Sequence, residues 1–442
     1  MTYQPLVVPS PMRHFIPPVE NRFLPWLASK LFFPLLGAMQ NIKQVIIRDE
    51  DIATLRKFKN ERLLFFTNHP STAEPPLVFY LGRLLGQRFK FMASRQVFNW
   101  QGGLIGWAIR RIGAYSVIAG VPDRDAMKLT RKILSEPTGK LVIFPEGEPT
   151  SGEVDTLMPF QPGVAQLGLW GLEDARKLDP AADINVWYGF MKFVIISPRE
   201  KILHDLGKSL FRIEKKLGVA EVNKDKHLLH RFLTIGRLLL EKAERDFSVT
   251  VEAEKGFDYR IGRVRHAMLD QLAEKLQAAN YDKNEDAIRK WRRLFALVEL
   301  HQLKYPDPKL PKLDAKTIKE AHRDAVFVFD FIVMKRDYIL NNPTPERLYE
   351  WLDRYESYMF KKIPRALGGV PSHLPRRAHI LFGKPYKLSE IVTENRKDRR
   401  LAVENFTTRL REDMQKLLDE AQSLTQPLFS TEEVLAVRSK IQ

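Results

Sequence analysis

Two short stretches carry side chains whose types and spacing suit proton transfer and charge stabilisation. In Asn68-His69-Pro70-Ser71-Thr72-Ala73-Glu74 an imidazole and a carboxylate stand five residues apart. Along a continuous helix, at about 100° per residue, five steps place two side chains roughly 140° apart, so a regular helix cannot pair them. A turn through Pro70 can. Glu74 would then accept from Nδ1–H of His69, fix the tautomer and leave Nε2 free to take a proton, which makes His69 a candidate general base. The alternative is a histidine that caps or packs. The second stretch is Val142-Ile143-Phe144-Pro145-Glu146-Gly147-Glu148. Its glycine permits close backbone approach, so its amide is a candidate oxyanion donor, and Glu146 is a candidate to position a substrate. Here the alternative is a turn glycine beside a solvated acid.

Both stretches need rigid elements behind them. Residues 61–67 (ERLLFFT) read as a buried strand ending at Asn68-His69-Pro70, and Pro75 and Pro76 fit the first turn of a helix continuing through Leu77 to Leu85. Further strands are expected at Phe89–Ala93, Ala114–Ile118, Leu141–Phe144 and Ile184–Ile196, separated by helices such as Asp125–Leu134 and Gly163–Leu169. Strands alternating with helices imply an α/β domain, and in such sheets ligands settle at the carboxyl ends of strands, where both stretches lie. Beyond Pro198 the pattern turns amphipathic and helical, as in Leu228, Phe232, Ile235 and Leu239. Proline-rich breaks occur at Tyr305–Leu313 and Pro364–Pro375, after which Ala378–Phe382 (AHILF) reads as one more strand returning to the first sheet.

Composition bounds the class. With 71 Lys and Arg against 54 Asp and Glu, a formal charge of +17 and no cysteine in 442 residues, the surface attracts anions, and disulfides, thiolate zinc sites and acyl-cysteine intermediates are excluded. The stretch Phe23–Met39 is the most apolar, yet Pro25, Lys30 and Pro34 interrupt it and it is shorter than the roughly 20 residues of a membrane span. It suits a helix lying among lipid headgroups, or a core helix docked on the main domain.

In order, these pieces resemble the glycerolipid acyltransferase family of the 1-acylglycerol-3-phosphate acyltransferase type over roughly residues 60–195. Asn68-His69 with Glu74 looks like the family's Asn-His-x-x-x-x-Asp block, here with glutamate as the acid. Residues 92–98 with Gly113–Val117 are similar to its second block, although Ala119 stands where relatives carry a phosphate-binding arginine. Phe144-Pro145-Glu146-Gly147 matches the third block, with Glu148 in place of Thr or Ser. Phe160–Ala165 resembles the following segment, and Val186–Phe193 stands for the fourth block, with Tyr188 at its proline.

The resemblance implies an α/β fold, an acyltransferase-type mixed sheet flanked by helices, with a large helical insertion. With the pattern of the rest of the chain, it leads to the expected division into a membrane-associating helical segment (1–50), the acyltransferase domain (51–200), the insertion (201–370), and a returning strand with C-terminal helices (371–442). It implies transfer from acyl-CoA or acyl-carrier protein to a lysophospholipid-like acceptor, with no cofactor, by a protein peripheral to a membrane on its cytoplasmic side. His69 and Glu74 would be catalytic, and Glu146, Gly147, Arg95 and Arg124 would bind substrate, the two arginines as contacts to a phosphate. The rival expectation, raised by Glu74, Ala119 and Tyr188, is a non-catalytic lipid-binding protein that keeps the fold. Nucleic acid is not expected as a partner, because Trp291, Phe295 and Trp351 lie at helical spacing among leucines and read as core.

Overall fold

All five residues of the strand Leu63–Thr67 (β2) are buried, and the sheet is built around it. In the computed structural model, which describes residues 14–21, 23–149, 154–252, 254–361, 372–394 and 398–438, β2 pairs in parallel with Lys140–Ile143 (β5) and Asn185–Ile195 (β6). Lys90–Ser94 (β3) follows beyond β5, then Ala114–Val117 (β4) at the edge. On the other side Arg376–Phe382 (β7) runs antiparallel to β6 and pairs in parallel with Ile42–Ile46 (β1), giving the order β1-β7-β6-β2-β5-β3-β4, while the short Tyr386–Lys387 (β8) pairs with β6. The sheet is mixed and flanked by helices, as the α/β pattern implies. The strand expected at Ala378–Phe382 lies between β1 and β6. Ile42–Ile46 corrects the expectation of a helical segment through residue 50, because it is a sheet strand. The prolines before residue 12 and the break at 364–371 lie outside the described residues.

Alternation along the strands explains the layers. Leu64, Phe66, Leu141, Ile143, Val186 and Phe190 face one side, where Arg124–Ser135 (α6), Pro162–Leu178 (α7) and Arg399–Ala421 (α17) supply Leu134, Leu169, Phe406 and Met414. Leu63, Phe65, Val142, Trp187 and Phe193 face the other, against Phe32–Gln40 (α2), Asp49–Lys57 (α3) and Glu74–Leu85 (α4). Phe23–Lys30 (α1) packs against Leu104–Ile112 (α5).

Between β6 and β7 lies the helical block: Arg199–Leu217 (α8), Ala220–Asn223 (α9), Leu228–Asp246 (α10), Phe257–Lys275 (α11), Ala287–Gln302 (α12), Ala315–Val333 (α13), Arg336–Leu340 (α14) and Pro345–Phe360 (α15). Leu388–Glu394 (α16) precedes α17, and Thr431–Arg438 (α18) ends the described chain. The block has its own core around Phe232, Trp291, Phe329 and Trp351, and that core also takes in Met158, Ile195, Leu374 and Phe429 from outside it. It is therefore fused to the sheet domain through shared apolar packing. Among the described residues no helix is long and apolar enough to cross a membrane.

Candidate active site

Register brings the two stretches together. Phe66 of β2 pairs with Ile143 of β5, so His69 and Glu146, each three residues further on, leave the sheet side by side. The main-chain N–H of His69 donates to Glu146 Oε1 at 2.9 Å. The chain then turns through Pro70 and enters α4 at Glu74, with Pro75 and Pro76 in the first turn, where a missing N–H costs nothing. An acid is also favoured at a helix N-terminus.

This turn achieves what a helix could not. His69 Nδ1 lies 2.8 Å from Glu74 Oε2. The same oxygen accepts from the Ser71 N–H at 3.0 Å, and Glu74 Oε1 accepts from the Ser71 hydroxyl at 2.8 Å. Facing a carboxylate, Nδ1 is the nitrogen that carries the hydrogen, so in the neutral ring the lone pair is on Nε2. The Glu74 side chain is fully buried, whereas that of His69 keeps 16% exposure. The imidazole stacks on Phe144, with ring centroids 4.3 Å apart. Asn68 fixes the approach, since its Oδ1 accepts from the Met191 N–H at 2.7 Å and its Nδ2 donates to Met191 O at 3.1 Å, locking the end of β2 to β6.

Residues 44–169 match the family model described as Acyltransferase. The chain carries an acyltransferase domain. It is the family that the two strand-end stretches resemble. The match begins in β1 and ends in α7, so it holds His69, Glu74 and the Pro145–Glu148 turn and leaves β6, β7 and the helical block outside. No curated protein and no solved structure matches the chain.

Within the acyltransferase domain three expected roles are revised. Glu146 does not face a substrate: it is fully buried, and its second oxygen accepts from the Met158 N–H at 2.7 Å. Burial pushes its pKa up to about 8, although the Met158 and His69 N–H groups oppose the shift. Its carboxyl braces the main chain at His69. Gly147 adopts φ +84°, as a turn glycine can, but its N–H donates to Phe144 O at 3.1 Å and is thereby committed to the turn. Arg95 is no open phosphate contact. It is 5% exposed at the start of the irregular segment 95–103, donates from Nη1 to Asn99 Oδ1 at 3.0 Å, and burial lowers its pKa. Arg124 opens α6 as an exposed side chain, and among the described residues no contact joins it to His69 or to the Pro145–Glu148 turn.

Five charged residues around the site escaped sequence reasoning. From α12, Arg292 Nε donates to Glu148 Oε1 at 2.7 Å, and its Nη2 donates to Glu146 O and Pro159 O at 2.9 and 2.7 Å. At the start of β7, the buried Arg376 donates to Gln40 O at 2.8 Å and faces the Phe193 ring. Burial draws its pKa down to about 10 against the opposing pull of Glu74, Glu346 and Glu350, so a cation lies within electrostatic reach of the Glu74 carboxylate. Lys192 of β6 is fully buried and pairs with Asp155, which also accepts from Arg347 Nε of α15 at 2.8 Å. Burial would raise the Asp155 pKa, but these two cations outweigh it and hold the group below its usual range. The triad and the Arg292 contacts tie the segment after β5 to the helical block.

Proposed function

We propose that this chain moves a fatty acyl group from a thioester of coenzyme A or acyl-carrier protein to a hydroxyl of a lysophospholipid or related lipid at a membrane surface. The observation that carries the reading is the 2.8 Å contact between His69 Nδ1 and buried Glu74 at the carboxyl end of the central strand, inside an acyltransferase domain. His69 Nε2 takes the proton of the acceptor hydroxyl as its oxygen attacks the thioester carbonyl. The tetrahedral intermediate collapses with cleavage of the C–S bond, and the thiolate recovers the proton from the imidazolium. Glu74, held by Ser71, stabilises that imidazolium and keeps the ring oriented. With Arg95 and Glu146 occupied internally, exposed Arg124 is the cation of the predicted set left to meet an acceptor phosphate.

A lipid substrate accords with the surface beside the site. Phe23 and Trp26 of α1, Leu31 between the helices, Phe33, Leu35 and Met39 of α2, and Leu104 and Trp107 of α5 are all exposed large apolar side chains. Lys30 and Arg111 stand among them, the Arg111 guanidinium 4.3 Å from the centre of the Trp107 ring. Aromatic and apolar side chains with cations at their margin suit insertion at the level of anionic headgroups. Between α1 and α4, a groove of about 280 Å³ offers Phe79, Phe89 and Ile112 as an apolar floor with Arg83 and Arg88 among its lining residues.

The test is mass spectrometry of the lipids formed when the purified chain is given palmitoyl-CoA or palmitoyl-acyl-carrier protein with a panel of lysophospholipids in vesicles. The expected result is one acylated product class that disappears in His69→Ala. Binding of lipid with no acylation from either donor would instead establish the non-catalytic rival.

A further inference from the structure

One face of α12, in the helical block outside the family match, lies across the rim where the site opens. Arg292, Ala296, Glu299 and Leu303 follow at steps of four, three and four, which is a single stripe. Taken in order, the stripe meets the ends of β5, β4 and β3. Arg292 holds the turn after β5. Ala296 packs against the turn after β4 so closely that a Cβ built on Gly120 would come within 2.7 Å of its own. Glu299 accepts from the Ser94 hydroxyl at 2.8 Å and from the Gln96 amide at the end of β3, while Leu300 and Leu303 close over Ile118.

Arg292 is the member of that stripe that holds the turn next to His69. Its planar fork reaches three acceptors, two on the Pro145–Glu148 turn and one at Pro159: the Glu148 carboxylate, Glu146 O and Pro159 O. Arg292 and Glu148 side chains are only 18% and 12% exposed. Burial raises the Glu148 pKa, and the charge and hydrogen bond of Arg292 work against that rise, as do Gln161 and the charge of His69. The groups facing Glu148 are therefore Arg292 from α12, Gln161 from the segment before α7, His69 from the end of β2, and the buried Glu146 on its own turn. Glu146 in turn holds the His69 main chain.

We propose that Arg292 is a positioning residue for the transfer reaction: a guanidinium supplied by the insertion clamps the Pro145–Glu148 turn to Pro159, and through Glu146 and Glu148 it sets the place and the charge environment of His69. This rests on His69 being the base. The insertion then completes the active site instead of merely extending the chain. Lysine at this position keeps the ion pair but cannot span all three acceptors.

Two readouts test it, one independent of turnover. Hydrogen–deuterium exchange of wild type, Arg292→Ala and Arg292→Lys should show faster exchange in residues 144–161 for the alanine variant, an intermediate rate for lysine, and no change in α10 and α11. With palmitoyl-CoA and the acceptor found above, kcat of Arg292→Ala should fall on the order of 10- to 100-fold with KM for the thioester within about twofold, and lysine should recover part of it. Unchanged exchange in 144–161, or kcat within threefold of wild type in Arg292→Ala, would overturn the proposal. So would equal losses for alanine and lysine that track a general loss of folding. If wild type transfers no acyl group, the proposed activity fails, while the exchange experiments still decide what Arg292 holds.

Discussion

His69 and Glu74 lie in contact because the turn between them also satisfies the carboxylate, through the N–H and hydroxyl of Ser71. Replacing Glu74 with Gln keeps the volume and removes the charge that favours the productive tautomer and the imidazolium. Transfer should fall roughly 10²-fold or more, with thioester KM nearly unchanged, as measured by initial rates over a range of donor concentrations. Glu146 makes a different prediction. Its folded pKa of about 8 lies above the unfolded value of 4.5, so the buried group binds its proton more tightly when folded. Its contribution to stability is full below pH 4.5, declines as pH rises and is gone once pH has passed about 8. Urea denaturation of wild type and Glu146→Gln between pH 5 and 9 should therefore show wild type losing ground by on the order of 1 kcal/mol per pH unit up to about pH 8. A difference independent of pH would mean that Glu146 is ionised throughout. His69 and Glu74 were legible in the sequence because both lie within one local turn. The role of Glu146 was not, since nothing in Phe-Pro-Glu-Gly reveals that the carboxylate is enclosed by the N–H groups of His69 and Met158.

Strands set the site through register, and the elements that matter most are the ends of β2, β5 and β6. Asn68→Ala would leave the buried N–H and C=O of Met191 without their partner, at a cost of roughly 2–4 kcal/mol readable as a lowered urea midpoint. The unbroken apolar run Leu63 to Phe66 and the run from Ile184 to Ile196 made the central strands visible in advance, and Ala378–Phe382 was visible for the same reason. β1 was not. Lys43 and Gln44 are exposed and interrupt its apolar pattern, and the strongly apolar α1–α2 stretch just before it dominates the reading. Tyr188, at the position where a proline was expected, has its own structural consequence: a Cβ on Gly383 would come within 2.0 Å of the Tyr188 ring, so Gly383 has no room for a side chain. Gly383→Ala should therefore disturb the β6–β7 pairing and lower the melting temperature by several degrees.

At the scale of the molecule, the helical block joins the sheet domain through a common core and through Arg292, Arg347, Glu346 and Glu350. Arg347 holds Asp155, the Glu346 carboxylate accepts from the Ile195 N–H at 2.7 Å, and that of Glu350 accepts from the Val154 N–H at 3.0 Å. Each of these contacts links residues at least 133 positions apart, and each side chain reads locally as an ordinary charge on an amphipathic helix, so no local pattern could disclose them. The excess of basic residues and the exposed face of α1, α2 and α5 act at this scale too. Trp26→Glu with Trp107→Glu should weaken sedimentation with phosphatidylglycerol vesicles at least tenfold, and 0.5 M salt should weaken that of wild type through screening. Binding unaffected by either change would remove this face from the account.

The central claim concerns one imidazole, and the absence of cysteine makes it easy to interrogate, because every thiol released from an acyl-CoA comes from the substrate. The decisive measurement is acceptor-dependent thiol release by wild type and His69→Ala, with matched circular dichroism spectra. A loss of roughly 10²-fold or more in the variant is the expected result, and release that persists at the wild-type rate would contradict a catalytic role for His69.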